Sequence, residues 1–147
     1  MSGSSRVLTK LFAKVAAIGQ RLTELHLLRS PELDTPAARF EGLGDDLVGK
    51  GTKAGVRYVP AEERVYINKS QYFAPVPQAV WDYRVGGYQV CEKWLKDRRE
   101  RRLDLDDART YCRIVTALKL TIEIQAELDA LYPRIEERLL AIPPEAQ

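Results

Sequence analysis

The spacing of apolar residues changes period twice along this chain, and that change limits the folds open to it. Over residues 6–29, Val7, Leu8, Leu11, Val15, Ile18, Leu22, Leu25 and Leu28 recur at three- and four-residue intervals. Lys10, Lys14, Arg21 and Glu24 lie opposite, so the segment predicts one amphipathic helix. From Val56 the period drops to two. Val56-Arg57-Tyr58-Val59 and Arg64-Val65-Tyr66-Ile67-Asn68 alternate, with Pro60 to Glu63 between them, which predicts a β-hairpin. Gln71-Tyr72-Phe73 adds a short third piece. Tyr83-Arg84-Val85 reads as a strand before a Gly86-Gly87 turn. After Asp104 the helical period returns. Ala108, Tyr111, Val115, Leu118 and Ile122 mark one stripe, and Ile124, Leu128, Leu131, Ile135 and Leu139 a shifted one. The shift predicts a helix that packs more than one neighbour rather than a strict coiled-coil seam.

Punctuation supplies the boundaries. Ser30-Pro31 and Thr35-Pro36 end the first helix, because the residue before proline is pushed out of the α region. Five glycines (42, 44, 49, 51 and 55) predict a long irregular, mobile connection up to the hairpin. Pro77 suits the start of a short helix through Asp82. Tyr88 to Arg99 reads as a further helix, with Val90 or Cys91, Trp94 and Leu95 inward. Asp104 is a good N-cap for the last helix, accepting the N–H of Asp107. Pro133 should kink or end that helix, and the tail Pro143 to Gln147 should fray. With 147 residues and 45% hydrophobic content, one domain with a real core is expected. The fold class is α+β: residues 6–29 a helix, 30–55 a Gly/Pro-rich loop, 56–103 a β-hairpin and basic helix, and 104–142 a long helix. A small antiparallel sheet, from about 56–74 plus 83–85, packs with the two long helices, which lie side by side.

Several function classes drop out. No apolar run reaches about 18 residues, the length a membrane helix needs. The N-terminus lacks a continuous apolar stretch, so a secretory signal is not expected, and the location is expected to be cytoplasmic. Cys91 and Cys112 read as small buried side chains. With His26, the only histidine, they are too few for a metal centre. Gly44-Asp45-Asp46-Leu47-Val48-Gly49-Lys50-Gly51 nearly spells a phosphate-binding P-loop, but Gly51 stands where Ser or Thr must hold Mg²⁺. Its two aspartates would also repel phosphate. No nucleophile elbow or paired metal-ligand motif appears, and carboxylate pairs such as Asp106-Asp107 and Glu136-Glu137 sit on solvated faces. The expectation is a chain that is not an enzyme and holds no nucleotide or cofactor.

Charge is distributed unevenly. The formal net charge is only +2, yet residues 56–103 hold 10 basic and 6 acidic side chains, while residues 104–147 hold 5 and 9. Lys93 to Arg102 alone has six basic and two acidic residues. Such a cluster has three uses. It complements the negative end of a helix dipole, it contacts phosphates with release of counterions, or it meets an acidic protein.

The run Arg64-Val65-Tyr66-Ile67-Asn68-Lys69-Ser70-Gln71-Tyr72-Phe73, then Val76-Pro77 and Val80-Trp81-Asp82-Tyr83-Arg84-Val85-Gly86-Gly87-Tyr88-Gln89-Val90-Cys91-Glu92-Lys93-Trp94-Leu95-Lys96-Asp97-Arg98, resembles the C-terminal specificity (target-recognition) domain of type ISP restriction–modification enzymes. Leu25-His26-Leu27-Leu28, Ser30-Pro31-Glu32-Leu33, Leu103 to Asp107 and the Tyr111 to Leu128 helix extend it over roughly residues 15–130. The Gly49 to Gly55 stretch is longer than the family's usual link into the Val-Arg-Tyr strand. The larger members carry nuclease, helicase-like translocase and adenine-N6 methyltransferase domains ahead of this segment. The resemblance thus implies a DNA-recognition piece without motor or catalytic site, read either as a separate short gene product or as a remnant of a longer one.

On that implication the partner is double-stranded DNA, with a methyltransferase or helicase chain as a protein partner, and no membrane. Lys93, Lys96, Arg98, Arg99, Arg101 and Arg102 would clamp phosphates, positioning without specifying. Lys69, Arg84 and Gln89 would reach base edges, where Arg reads guanine and Gln reads adenine. Trp81, Tyr88, Trp94 and Leu95 are expected to pack the core. Two rival readings stay open. One is a helical protein-interaction module docking on a methyltransferase, and the other a non-functional remnant of a longer restriction enzyme.

Overall fold

The computed structural model describes the backbone of residues 2–140 and the side chains of 9–133. Helix α1 (Ser2–His26) leads through a 3₁₀ turn (Pro31–Asp34) into strands β1 (Arg39–Glu41), β2 (Arg57–Val59), β3 (Arg64–Tyr66) and β4 (Tyr72–Ala74). Helix α2 (Gln78–Trp81), strands β5 (Arg84–Val85) and β6 (Tyr88–Gln89), and helices α3 (Val90–Lys96) and α4 (Leu105–Leu140) complete the order. The fold is α+β, as the alternation of periods predicts.

The four-stranded sheet is antiparallel in the order β1-β4-β3-β2. Tyr58, Val65, Phe73 and Phe40 stand in register across it. All four turn to the helices: Phe73 meets Phe40 and Tyr111 with ring centroids 4.7 and 4.3 Å apart, and Tyr58 stacks on Trp81 at 5.2 Å. Val65, Phe73, Leu95 and Tyr111 are fully buried there. A second apolar cluster lies between α1 and α4. Leu11, Ile18 and Leu25 recur at seven-residue spacing along α1, and Ala117, Ile124 and Leu131 do so along α4. The helices run antiparallel, since Arg113 near the start of α4 donates to the Leu28 carbonyl at the end of α1 (2.7 Å). The shifted stripe of α4 therefore marks its passage from the sheet to α1.

Caps close the elements. Asp107 N–H donates to Asp104 Oδ1 (2.7 Å) and Asp104 N–H to Asp107 Oδ2 (3.1 Å), a reciprocal box that starts α4. Arg21 holds Glu32 through two hydrogen bonds, tying α1 to the 3₁₀ turn, and Arg21 pulls the Glu32 carboxyl below its ordinary range.

Five expectations are corrected. Residues 30–55 are not wholly irregular: Arg39 to Glu41 pairs with β4, and Val48 is fully buried. Three residues, stopped by Gly42, are too short for period two to be legible. Residues 83–85 do not join the main sheet; Arg84 and Val85 pair with Gln89 and Tyr88 in a separate hairpin. The residues expected to open a helix at Tyr88 are thus strand, because Gly86 and Gly87 (φ +59° and +85°) make the two-residue reversal that only a hairpin needs. Tyr88 is 62% exposed and packs no core. Helix α3 stops at Lys96 rather than Arg99. Of the two outcomes expected of Pro133, kinking or ending, the second does not occur: α4 runs through it to Leu140. The expected fraying of 143–147 falls outside the described residues, as do the side chains of Ile135 and Leu139.

Candidate nucleic-acid interface

The basic segment 93–102 is built from its buried side outward. Cys91 and Leu95 anchor α3 in the core, and the Trp94 ring lies 5.2 Å from that of Tyr111. This leaves Glu92, Lys93, Lys96 and Asp97 toward water. Lys93 pairs with Asp97 (3.0 Å) and Lys96 with Glu92 (2.8 Å), both four residues apart and about half exposed. Exposed pairs of this kind contribute about 0.2–1 kcal/mol, so either cation exchanges its partner for a phosphate at little cost. Arg98 and Arg99 do a structural job. The Arg98 guanidinium lies 3.6 Å from the Trp94 ring centroid and donates to the Trp94 carbonyl (2.8 Å), while Arg99 Nε donates to the Lys96 carbonyl (3.0 Å). They close the carbonyl end of α3, the dipole use of such a cluster. Arg101 and Arg102 are exposed.

The Gly-rich loop meets this turn backbone to backbone. Val48 N–H donates to Arg101 O (2.9 Å), Glu100 N–H to Val48 O (2.7 Å) and Leu103 N–H to Asp46 O (2.8 Å). Leu47 and Arg102 form an antiparallel bridge, and Lys50 pairs with Glu100 at 3.1 Å. Gln71, itself buried, holds the other side of the loop. Its Oε1 accepts from Asp46 N–H (2.8 Å) and Asn68 Nδ2 (3.0 Å), and its Nε2 donates to Asp46 Oδ1 (2.8 Å). The segment Gly44–Gly51 thus runs from β1 toward β2 with no helix after it, and both its aspartates are spent on loop architecture, Asp45 Oδ1 accepting from Leu47 N–H (3.2 Å) as Asp46 does from Gln71.

Loop and turn together enclose a concavity of about 300 Å³, lined by Gly49, Gly51, Thr52, Val56, Arg57, Lys96 and Arg99. An adjoining one of about 290 Å³ shares Gly49 and carries Lys69 on its wall. Lys96 and Arg99 therefore share one concavity, and Lys69 lines the neighbouring one. Sequence reasoning missed Lys50, Arg57 and the bracing pair Asn68 and Gln71. The available signal was the Leu47-Val48 pair, two adjacent apolar residues in an otherwise polar, Gly-rich loop, of which Val48 is the buried one.

Arg84 and Gln89 lie apart from both concavities, at the opposite end of α3. They are cross-strand partners on the β5–β6 hairpin. Arg84 Nη1 donates to Gly87 O (3.2 Å), and the Gln89 amide donates to the Trp81 carbonyl. Arg84 borders an apolar groove of about 590 Å³ with Leu25, His26, Tyr83, Val85 and Ile114.

Nucleophile chemistry finds little support in the geometry. Burial pushes the Cys91 thiol up to about 12 and that of Cys112 to about 11, so both stay protonated near neutrality. Among the described residues no group of three or more His, Cys, Asp or Glu could hold a metal ion, and no helix is long and apolar enough to cross a membrane.

No curated protein and no solved structure matches the chain significantly. A family model does: the type ISP C-terminal specificity domain, over residues 8–127. That span takes in most of α1, the sheet, the basic turn and most of α4, and so the chain belongs to the family of type ISP C-terminal specificity domains.

Proposed function

We propose that this domain is a non-catalytic DNA target-recognition module of a restriction–modification system, working in the cytoplasm with a methyltransferase. The observation that carries the reading is the hydrogen-bonded union of the Gly-rich loop with the basic turn. It sets Lys96 and Arg99 on the wall of one concavity and Lys69 on that of an adjoining one, with Lys50, Arg101 and Arg102 on the segments that make the union, in a family whose business is specificity. Backbone-held cations at fixed positions suit phosphates, which set register on the duplex, and Lys69 on its short turn is the nearby candidate for a base edge.

The test is a mobility-shift assay on random duplex DNA at about 50 and 200 mM salt, over which six phosphate contacts cost about 10³-fold in affinity. Arg98 and Arg99 hold the end of α3, so the cleaner variant is Lys96→Gln with Arg101→Gln and Arg102→Gln. Its salt slope should fall by about 2.7, from about 0.9 per phosphate. Binding with the wild-type slope would remove these residues from the interface. The apolar groove beside the hairpin favours a second reading, docking on a methyltransferase, because Leu27, Val85 and Tyr88 stand more than half exposed around that end of the molecule. Docking there predicts co-purification with the methyltransferase that survives the same triple substitution.

A further inference from the structure

The outward face of the four-stranded sheet carries arginines and tyrosines in register. Arg57, Tyr66, Tyr72 and Glu41 form one row across all four strands; beside it Val59 pairs with Arg64 and Ala74 with Arg39. Alternation turns these residues away from the core that Val65 and Phe73 enter. The Arg57 guanidinium lies 4.2 Å from the Tyr66 ring centroid, that of Arg64 lies 4.2 Å from the Tyr72 centroid, and the two rings are 5.2 Å apart. Hydroxyls fix the array: Arg64 Nη1 donates to Tyr66 Oη (3.1 Å), Tyr66 Oη to Glu62 (3.2 Å) and Tyr72 Oη to Glu41 (3.2 Å).

Cross-strand stacking of this kind stabilises a sheet, but that role does not call for a third guanidinium at Arg39 or for contact with another basic site. Arg57 supplies that contact, since it lines the concavity of Lys96 and Arg99 as well as covering Tyr66. A stacked guanidinium has already given up much of its rotamer freedom; Arg57 Nη1 donates to the Lys53 and Asn68 carbonyls (2.9 and 3.0 Å) and Arg64 Nη1 pairs with Glu62 at 3.0 Å, so it is the remaining N–H groups of each fork that would meet a phosphate. An acidic peptide would want an apolar anchor, and the tyrosine rings that could provide one are covered by the arginines.

We infer that the Arg39–Arg57–Arg64 face is a second phosphate-contacting surface for duplex DNA, continuing the track of the basic turn across the sheet. This rests on the DNA-recognition reading above. The test is a salt titration of random-sequence duplex binding by the full chain and by an Arg39→Gln/Arg64→Gln variant, whose fold is checked by circular dichroism. Loss of two phosphate contacts lowers the salt slope by about 1.8, so the ratio of wild-type to variant affinity shrinks by about 12-fold between about 50 and 200 mM salt. Arg39→Gln alone, on the exposed edge strand, lowers the slope by about 0.9, and covers the case in which the double variant misfolds. Arg39→Lys/Arg64→Lys keeps the charges and the wild-type slope. An unchanged slope in the glutamine variants, whether or not the face then binds an acidic peptide, overturns the inference and leaves the basic-turn reading intact. Absence of duplex binding by the wild type overturns both.

Discussion

Tyr111 heads the fully buried side chains by size, and its hydroxyl donates to the Cys91 carbonyl at 3.1 Å. Its ring meets Phe73 of the sheet on one side and Trp94 of α3 on the other. It therefore joins the two parts that hold the basic turn in place. Tyr111→Phe keeps the ring and loses one hydrogen bond, worth about 1 kcal/mol, whereas Tyr111→Ala opens a cavity and costs about 3–5 kcal/mol. Urea denaturation midpoints separate the two. The neighbouring thiols give a pH prediction. Cys91 in the folded chain is raised from 9.0 to about 12, so the folded state keeps a proton that the unfolded chain releases above about pH 9. Stability is thus complete below pH 9 and falls as pH rises toward 12. Cys112 adds to the fall between 9.0 and about 11. Denaturation midpoints from pH 8 to 11 should decline, and Cys91→Ala should make the decline shallower, Cys112 and the buried Tyr111 supplying what remains; a flat wild-type profile would count against the buried-thiol account.

Among the elements, the loop 44–55 is the one whose form and proposed function are hardest to separate. A Cβ on Gly49 would run into the Ala54 carbonyl oxygen, because the chain doubles back on itself there. Gly49→Ala must displace the loop, at about 1–3 kcal/mol, and with it the Lys96–Arg99 concavity. The expected outcome is a lower melting temperature together with weaker duplex binding measured below the transition; unchanged binding would detach the loop from the interface. This is also where reading the sequence reached its limit. Period and capping chemistry are local, so both long helices, the hairpin and the Asp104 cap were legible. Helix α4's two neighbours were legible from the shift between Leu118 and Ile124. Strand β1 and the clasp of Val48 on Glu100 and Arg101 were not, because each is a pairing between distant segments of three residues or fewer. The basic cluster was visible as composition. Its division into Arg98 and Arg99, which close a helix, and Lys96, Arg101 and Arg102, which face solvent, depends on where α3 stops.

At the scale of the whole molecule, the small net charge is a cancellation between a basic middle and an acidic C-terminal third, and the structure divides the labour similarly. One apolar cluster unites the sheet with α2, α3 and the first half of α4, while the other joins α1 to α4 further along. The proposed DNA surface rests entirely on the first. The second has no residue in either concavity of the interface, so its expected role is to stiffen α4, the one element common to both. That division can be tested with Leu25, which is fully buried between α1 and α4. Leu25→Ala should cost about 2–5 kcal/mol in unfolding free energy. If the layers divide as described, the folded fraction of that variant still binds random duplex DNA with the wild-type affinity and salt slope, because Lys96, Arg101, Arg102 and the Gly-rich loop keep their own supports. Docking at the groove bordered by Leu25 and Arg84 should weaken in the same variant, since the groove loses part of its wall. Loss of DNA affinity in proportion to lost stability would instead mean that α1 and the interface fold as one cooperative unit, and that the helical layer positions the basic turn rather than standing beside it.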